Sequence, residues 1–322
     1  MAAKNRGRDL MRHIVALLLL LAAMPARAQP ISIVVPFPPG GLADVMARLV
    51  GEQLRERLGQ PVVIDNRPGA GGIVGARLVA GAAPDGTTLL LGNTNLAVNP
   101  SLYRSLPYET LTAFAPIIQA VAVPNFILVH SATPYHSLAD FLAAARARPG
   151  ALNYSSAGNG TFPHLAFVLF ALKAGVEVTH VPFNGAAPAL QALLAHQVEA
   201  LSNDPPTSLP QMRSGAVRAL GITSAQRLPQ APDVPTLAEQ GLTGFDAVGW
   251  QGFLAPGGTP PAVIARLHGA IQAAMTSQAM REKLEPQGVR IVAGSTADFA
   301  AFLRADIERW REAVRASGAT VE

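Results

Sequence analysis

The stretch VPFPPGGLAD, residues 35–44, restricts the fold of this chain more than any other feature of its sequence. It follows the apolar run ISIVV (31–35), which predicts a buried strand, and it leads directly into a helical pattern over 43–58. Its prolines fix φ and offer no backbone donors, whereas Gly40 and Gly41 let the backbone approach a ligand closely. In open parallel sheets, ligands bind where strands end and helices begin, because the free N–H groups of a helix's first turn attract anions. The stretch therefore predicts an α/β fold with an anion-binding loop.

Three more strand–loop–helix junctions have the same glycine-containing character, at 67–72, 157–161 and 183–186. A single glycine loop is weak evidence, since glycine at such a junction often serves only helix–sheet packing. Two of the four loops fall in an early series of strands and helices, and two fall in a later series. The sequence therefore predicts a cleft in which two domains hold one small anionic solute from both sides. A hinged pair of domains that closes around a ligand is the mechanism of a binding protein.

The order of the predicted elements indicates two α/β domains with mostly parallel sheets, because short β-branched runs alternate with helical patterns. The early series has strands at 31–35, 61–65 and 87–92 and helices at 43–58 and 73–82. The later series has strands at 125–130, 152–157, 178–183, 198–202 and 217–223, with helices that end near 147, 173 and 196. The tail has helices near 260–275, 278–285 and 297–316, and its lone strand at 290–294 is expected to join the first sheet. We predict crossings near 121–124 and 249–253, the second as a hinge, so that domain 1 comprises 29–123 and 252–322 and domain 2 comprises 124–251.

Residues 1–28 have the pattern of a cleavable signal peptide. Four basic residues precede the apolar run 14–23, and Ala26-Arg27-Ala28 gives a small-x-small cleavage site. The apolar run is short for a membrane span, and an uncleaved anchor is the alternative. We therefore expect a mature chain that begins at Gln29 and resides in the periplasm, with secretion into the medium as the alternative.

The mature chain is electrically balanced and has no cysteine. Five of the 25 Lys and Arg residues and one of the 21 Asp and Glu residues fall in 1–28, which leaves 20 of each sign. This balance does not indicate a nucleic-acid partner. Without cysteine the chain has no disulfide framework and no lipid attachment site at the cleavage point, so a hydrophobic core must stabilise it.

An α/β enzyme is the main alternative, and the motifs do not favour it. Gly69, Gly71 and Gly75 miss the dinucleotide-binding spacing by one residue, and the sequence contains no Gly-Lys-Ser/Thr and no Gly-x-Ser-x-Gly. The histidines are scattered, without metal-ligand spacing. His164 is the best catalytic candidate, because the N-terminus of its predicted helix would lower its pKa. It has no partner nucleophile, so we expect a polar cleft wall there, and no catalytic residue, metal or cofactor.

Several motifs, in this order, identify a known family: VVPFPPGG (34–41), LGQPVVIDNRPGAGG (58–72), APDGTTLLLG (83–92), NPSLY (99–103), LNYSSAGNGT (152–161) with HL (164–165), HVPF (180–183), APAL (187–190) and PDVPTLAEQGL (232–242). The chain resembles the Bug proteins, the extracytoplasmic solute receptors of tripartite tricarboxylate transporters, from about residue 31 to its end. The resemblance implies a two-domain, type II-like periplasmic binding protein fold with a hinged, water-rich cleft. It also implies a small organic carboxylate as ligand, whether a di- or tricarboxylate, an amino-acid-like acid or an aromatic acid. The implied partners are membrane transporter subunits, with the receptor itself a monomer.

The resemblance carries the ligand loops over to 37–44 and 157–161, with further residues lining the cleft. For Asp44, capping of the helix is expected ahead of ligand contact. The predicted ligand-binding residues are Phe37, Pro38, Pro39, Gly40, Gly41, Ala43, Asp44, Asn93, Thr94, Ala157, Gly158, Asn159, Gly160, Thr161, His164, Asn184, Gly185 and Asn203.

The chain departs from the family pattern at three of these places. Leu42-Ala43-Asp44 stands where Gly-Thr-Asp is usual, Asn203-Asp204 reverses the usual Asp-Asn, and Phe183-Asn184-Gly185 replaces Tyr-Lys-Gly. Compared with the family pattern, the chain lacks one hydroxyl and one cationic side chain, and its carboxylate is at 204 and not at 203. We therefore expect a ligand that is less polar or less charged than citrate. The same fold would also serve a protein that reports ligand to a membrane sensor kinase, and the sequence does not separate that use from transport.

Overall fold

The computed structural model describes residues 29–40 and 42–318, apart from the side chains of residues 316 and 317. The predicted signal peptide and Gly41 lie outside the described residues. The strands are β1 (Ile31–Val35), β2 (Val62–Asn66), β3 (Thr88–Asn93), β4 (Phe114–Pro124), β5 (Phe126–His130), β6 (Asn153–Ser156), β7 (Thr179–Pro182), β8 (Ala200–Asn203), β9 (Val217–Ile222), β10 (Val248–Pro256) and β11 (Arg290–Ile291). The helices are α1 (Leu42–Leu58), α2 (Ile73–Ala80), α3 (Asn95–Leu102), α4 (Thr110–Ala113), α5 (Leu138–Ala147), α6 (Phe162–Ala174), α7 (Ala186–Leu194), α8 (Pro205–Arg213), α9 (Pro261–Met275), α10 (Gln278–Leu284) and α11 (Thr296–Ser317).

The strands form two sheets, as predicted. One sheet has the order β11-β4-β10-β3-β1-β2, and the other has the order β7-β6-β8-β5-β9. β11 pairs with β4, so the lone C-terminal strand joins the first sheet as expected. The strands of the second sheet all lie between the two predicted crossings in the sequence, and the first sheet contains the crossing segments. The division of the chain into 29–123 with 252–322 and 124–251 stays a prediction.

The sheets are mixed and not mostly parallel, which corrects one part of the prediction. Four strand pairs are parallel, and they all involve β1 or β6, whereas five pairs are antiparallel. The cause is a pair of long strands, β4 and β10, that run antiparallel to each other in the middle of the first sheet. The segments 121–124 and 249–253, predicted as crossings, are parts of these two strands. Their backbone groups form hydrogen bonds between the paired strands.

Three helices were not predicted, and each has a local explanation. α3 and α4 are short segments between β3 and β4, and α3 contains Pro100. α8 has the sequence PPTSLPQMR, in which prolines hide the helical pattern. Its N-cap is Asp204, whose carboxylate accepts a hydrogen bond from Thr207 N at 3.1 Å. The first helical residue is a proline, which has no backbone N–H, and none is needed because the N–H at this position has no partner within a helix.

The last helix, α11, packs against elements on the side of each sheet. It contacts α3 and β4 on the side of the first sheet and α6 on the side of the second. Trp310 meets Phe162 of α6 edge-on, with 5.8 Å between ring centroids. The Trp250 indole of β10 donates to the buried Asp306 carboxylate at 2.7 Å. α11 therefore ties the crossing strand β10 to both halves of the molecule. Among the described residues, no helix is both long enough and apolar enough to cross a membrane.

Candidate functional site

The first glycine loop is held in shape by Asp44. Its carboxylate accepts from Gly40 N at 3.0 Å, from the Asn66 amide at 3.0 Å and from Arg48 Nε and Nη2, each at 2.9 Å. Asn66 also donates to Phe37 O at 3.2 Å. Hydrogen bonds from the Arg48 guanidinium, with those from Gly40 and Asn66, lower the pKa of Asp44 to about 2. The Asp44 side chain is thus engaged within the protein, as the capping interpretation predicts, and it shapes the loop.

The exposed residues of this loop are Pro38, Pro39 and Gly40, and Phe37 is half-buried. Gly40 has φ +93°, a conformation that favours glycine, and a side chain there would meet open space. Ala43 is buried against the first core, so it offers the loop no polar group.

The second glycine loop lies beside the first and is fixed by two asparagines that the sequence analysis missed. The amides of Asn95 and Asn99, one turn apart on α3, both donate to Gly71 O at 3.2 Å. Gly72 approaches Pro36, because a Cβ built on Gly72 would lie 3.4 Å from the Pro36 Cβ. The signal in the sequence was the spacing of Asn95 and Asn99, which puts both amides on one face of a helix.

Asn93 and Thr94, at the end of β3, are already used in internal hydrogen bonds. Thr94 Oγ1 accepts from Trp250 N at 3.0 Å, and Asn93 Oδ1 accepts from Asn95 N at 3.1 Å. Thr94 is 2% exposed. These bonds fix the end of β3 to the crossing strand β10, and they leave the Asn93 amide nitrogen as a donor.

Two stacked histidines, His164 and His180, support the loop at 157–161. Gly160 N donates to His164 Nδ1 at 3.0 Å, and the rings of His164 and His180 stack at 3.9 Å. Ser156 Oγ lies 2.7 Å from His180 Nε2. Burial lowers the pKa of His164 to about 4 and, with the neighbouring His164, that of His180 to about 3. The pKa of His164 is thus lowered, in the predicted direction, and burial of the ring accounts for the shift.

Hydrogen bonds within the loop use several of its polar groups. The Thr161 hydroxyl donates to Gly158 O at 2.7 Å, and Gly158 N donates to Ser156 Oγ at 3.2 Å. Asn159 makes no hydrogen bond, through backbone or side chain, to the described part of the chain. The half-buried Ala157 contributes no side-chain polar group.

Two further asparagines on the second sheet's side have free polar groups. Asn184 is exposed and, within the described ranges, has no hydrogen bond through either its backbone or its side chain. Asn203 is 1% exposed, yet neither its amide nitrogen nor its amide oxygen has a partner in the described part of the chain. A buried polar side chain without partners is rare, because leaving it unpaired costs about 1–3 kcal/mol. Gly185 has φ +118° at the N-cap of α7.

The predicted loops form two groups, one on the side of the first sheet and one on the side of the second sheet, and the two sides are in contact. The loops at 36–40 and 67–72 adjoin each other through Pro36 and Gly72, and Gly158 lies next to Phe183, since a Cβ built on Gly158 would be 3.3 Å from Phe183 O. The groups meet at Gly160 and Leu102, where a Cβ on Gly160 would lie 2.1 Å from Leu102 Cδ2. A groove of about 650 Å³ lies elsewhere, and none of the predicted site residues lines it. No cluster of three or more metal-binding side chains occurs in 29–40 and 42–318.

The comparison with known families decides the class of protein. The model of the tripartite tricarboxylate transporter family receptor matches residues 46–319. The chain belongs to this family. It is 39% identical to Protein BugT of Bordetella pertussis over 297 residues, which cover 92% of this chain and 91% of BugT.

Solved structures of family members share the fold. The Rpa4515 protein of R. palustris, solved with adipate, is 35% identical with a TM-score of 0.82, over 92% of this chain and all of that chain. MatC of Rhodopseudomonas palustris, solved with bound malate, is 34% identical with a TM-score of 0.79, over 90% of this chain and all of that chain. The periplasmic binding protein BugD is 32% identical with a TM-score of 0.79, over 91% of this chain and 99% of that chain, which confirms the predicted periplasmic binding protein fold. The family is one of solute receptors and not of enzymes.

Proposed function

We propose that this receptor captures a small carboxylate with an apolar body, such as a dicarboxylate, between the two groups of glycine loops. The observation that carries the proposal is that the uncommitted polar groups are amides. Asn159, Asn184 and Asn203 retain free donors, whereas the guanidinium groups of Arg48 and Arg67 are paired with Asp44 and Asp65. Amides and ordered water hold a carboxylate without any cation. Adipate and malate, the ligands named for the two solved relatives, are both small dicarboxylates, and the body of adipate is apolar.

The departures from the family pattern support a ligand of lower charge than citrate. Ala43 is buried and apolar, and Asn184 is neutral where a lysine is usual. Each additional carboxylate buried in the cleft needs its own set of donors, because an unpaired buried charge is costly. A dicarboxylate therefore matches the available amides better than a tricarboxylate does.

Binding would be coupled to closure of the two domains. The first-domain loops take up the solute in an open form, and closure brings the loop at 157–161 over it. Only a ligand that binds the closed form better shifts this equilibrium. The receptor then hands its solute to membrane subunits of the tripartite tricarboxylate type. We further propose that it acts as a monomer in the periplasm after removal of residues 1–28, and that its domains divide at the boundaries given above.

Calorimetric titration of the purified protein with adipate, malate and citrate tests the proposal. We expect adipate or malate to bind at least about tenfold more tightly than citrate, a difference of about 1.4 kcal/mol. The Gly158→Val variant should lose this binding while keeping its fold, because valine at φ +128° would be strained and would approach Phe183 O. Equal affinity of the variant and the wild type would contradict the assignment of the cleft.

A further inference from the structure

The groove of about 650 Å³ lies on the opposite side of the crossing strands from the glycine loops. In the first sheet, β4 and β10 separate β11 from β3, β1 and β2, and in the second sheet β9 lies at the edge away from β6 and β7. The groove is lined by β11 and by the segment 224–230 that follows β9. The glycine loops follow β1, β2, β6 and β7. The groove is therefore a separate space between the two sheets' domains, behind the crossing strands.

The charges of this groove leave one cation without a partner. The Arg227 guanidinium is paired with Glu239 at 2.9 Å, and Arg309 is paired with the buried Asp306 at 2.7 Å. Arg290, on β11, is exposed and its side chain makes no hydrogen bond or ion pair with the described residues.

The acids of the groove are also engaged. Glu285 is paired with Arg281 at 3.2 Å, and Asp246 Oδ1 accepts from Ala225 N at 3.0 Å. Neither carboxylate is ion-paired with Arg290. Asp246 likewise has no ion pair with the described residues, so the groove holds one unpaired charge of each sign, and Arg290 is its unpaired cation.

A buried acceptor and an apolar wall complete the surroundings of Arg290. Gln230 donates through Nε2 to Glu285 O, and its Oε1 is buried with no partner in the described part of the chain. Phe302, Leu228 and Val289 contribute apolar surface, and Phe302 meets Trp250 edge-on at 6.0 Å. The volume lies within the range of about 300–1,000 Å³ that is typical of small-molecule sites.

We propose that this groove is a second binding site, for a small organic acid with an apolar body and a hydrogen-bond donor. The carboxylate would pair with Arg290, the apolar body would pack on Phe302 and Leu228, and the donor would reach Gln230 Oε1. The site is independent of the carboxylate cleft, since the two share no residue. Because it lies between the domains behind the crossing strands, an occupant would contact both domains at once.

Calorimetric titration of the purified protein with 4-hydroxybenzoate tests this site, because that acid has all three features. We expect binding to the wild type and at least about tenfold weaker binding to Arg290→Gln, because that variant loses the charge-assisted hydrogen bond to the carboxylate. Ala225→Trp, at the exposed rim of the groove, should weaken binding as much by filling the space. Arg55→Gln, which removes an exposed arginine on α1 far from the groove, is the matched control and should bind as the wild type does.

The Gly158→Val variant separates the groove from the cleft. The proposal predicts that 4-hydroxybenzoate binds this variant as tightly as it binds the wild type. Loss of binding in Gly158→Val with unchanged binding in Arg290→Gln would assign the acid to the cleft and overturn the proposal. Wild-type affinity in both Arg290→Gln and Ala225→Trp, or no binding to the wild type at about 10 mM acid, would overturn it too.

Discussion

Asp44 connects the first glycine loop to β2 through a carboxylate with four donors around it. We expect Asp44→Asn to lower the free energy of unfolding at pH 7 by about 1–3 kcal/mol, because an amide cannot accept all of these bonds. The folded-state pKa, about 2, is below the ordinary value of 3.8, so the carboxylate stabilises the fold above pH 3.8 and this contribution is lost as the pH falls through about 2.

Urea unfolding of Asp44→Asn and the wild type between pH 7 and pH 2 measures this effect. The difference between the two proteins should shrink as the pH falls. Asp233→Asn, at an exposed aspartate without a described partner, is the control and should unfold as the wild type does at each pH. A difference that is constant from pH 7 to pH 2 would show that the Asp44 carboxylate does not act through its charge.

Asn203 allows a test that separates binding from stability. Its two amide atoms are buried without partners, so Asn203→Leu should leave the melting temperature unchanged or raise it. The same substitution should weaken adipate binding by at least about tenfold, if the amide contacts the ligand. Thermal unfolding and calorimetry on one sample give both results. A variant that is less stable but binds normally would show that Asn203 has a structural role only.

His164 is expected to make the fold sensitive to mild acid. Its folded-state pKa of about 4 is below the ordinary value of 6.5, so the neutral ring stabilises the fold above pH 6.5 and stability is lost as the pH falls toward 4. In His164→Asn, whose amide oxygen replaces the Nδ1 acceptor, the slope of unfolding free energy against pH should fall by about 1.4 kcal/mol per pH unit between pH 6 and pH 4. His136→Asn, at an exposed histidine, is the control. An unchanged slope in His164→Asn would refute this assignment.

At the scale of elements, Gly160 of the second-domain loop lies against Leu102 at the end of α3. A Cβ on Gly160 would lie 2.1 Å from Leu102 Cδ2, so Gly160→Ala should hinder closure and weaken adipate binding by at least about tenfold. Leu102→Ala in the same chain should restore part of the affinity.

Gly150→Ala is the matched control for Gly160→Ala. Gly150 has φ +71°, nearly the same as the +69° of Gly160, but a Cβ there meets nothing within 4 Å. Both variants carry the same backbone strain, about 1 kcal/mol, and only one carries the steric overlap. Equal affinities in calorimetry would show that the contact at Gly160 does not matter for binding.

The sequence reveals the glycine loops because their signals are local. Proline and glycine fix the geometry of 36–41 within a few residues, and the strand before them is a short apolar run. β4 and β10 were read as crossings because their runs are interrupted by Gln119 and Gln251, by prolines and by glycines. Their pairing joins segments more than a hundred residues apart, which no local pattern contains. The same holds for Asn203, whose lack of partners depends on the packing around it.

At the scale of the whole molecule, α11 and the crossing strands connect the two halves of the receptor. Asp306 and Trp250 join α11 to β10, and Trp310 packs on Phe162 of α6. The proposed carboxylate cleft and the groove lined by Arg290 share no residue. Two sheets with a C-terminal strand returning to the first were predictable from the order of elements. The position of one sheet relative to the other was not, because it depends on contacts such as Trp310 with Phe162, between helices that are far apart in the chain.

The most direct test of the account is the distance between the two domains with and without solute. The chain has no cysteine, so Val74→Cys on α2 and Ala187→Cys on α7 would attach spin labels at these two exposed positions only. Both helices follow glycine loops at the cleft. Double electron–electron resonance should show a broad distance distribution without ligand and a shorter, narrower one with saturating adipate. Adipate that binds by calorimetry and leaves the distribution unchanged would contradict closure of the domains around the carboxylate.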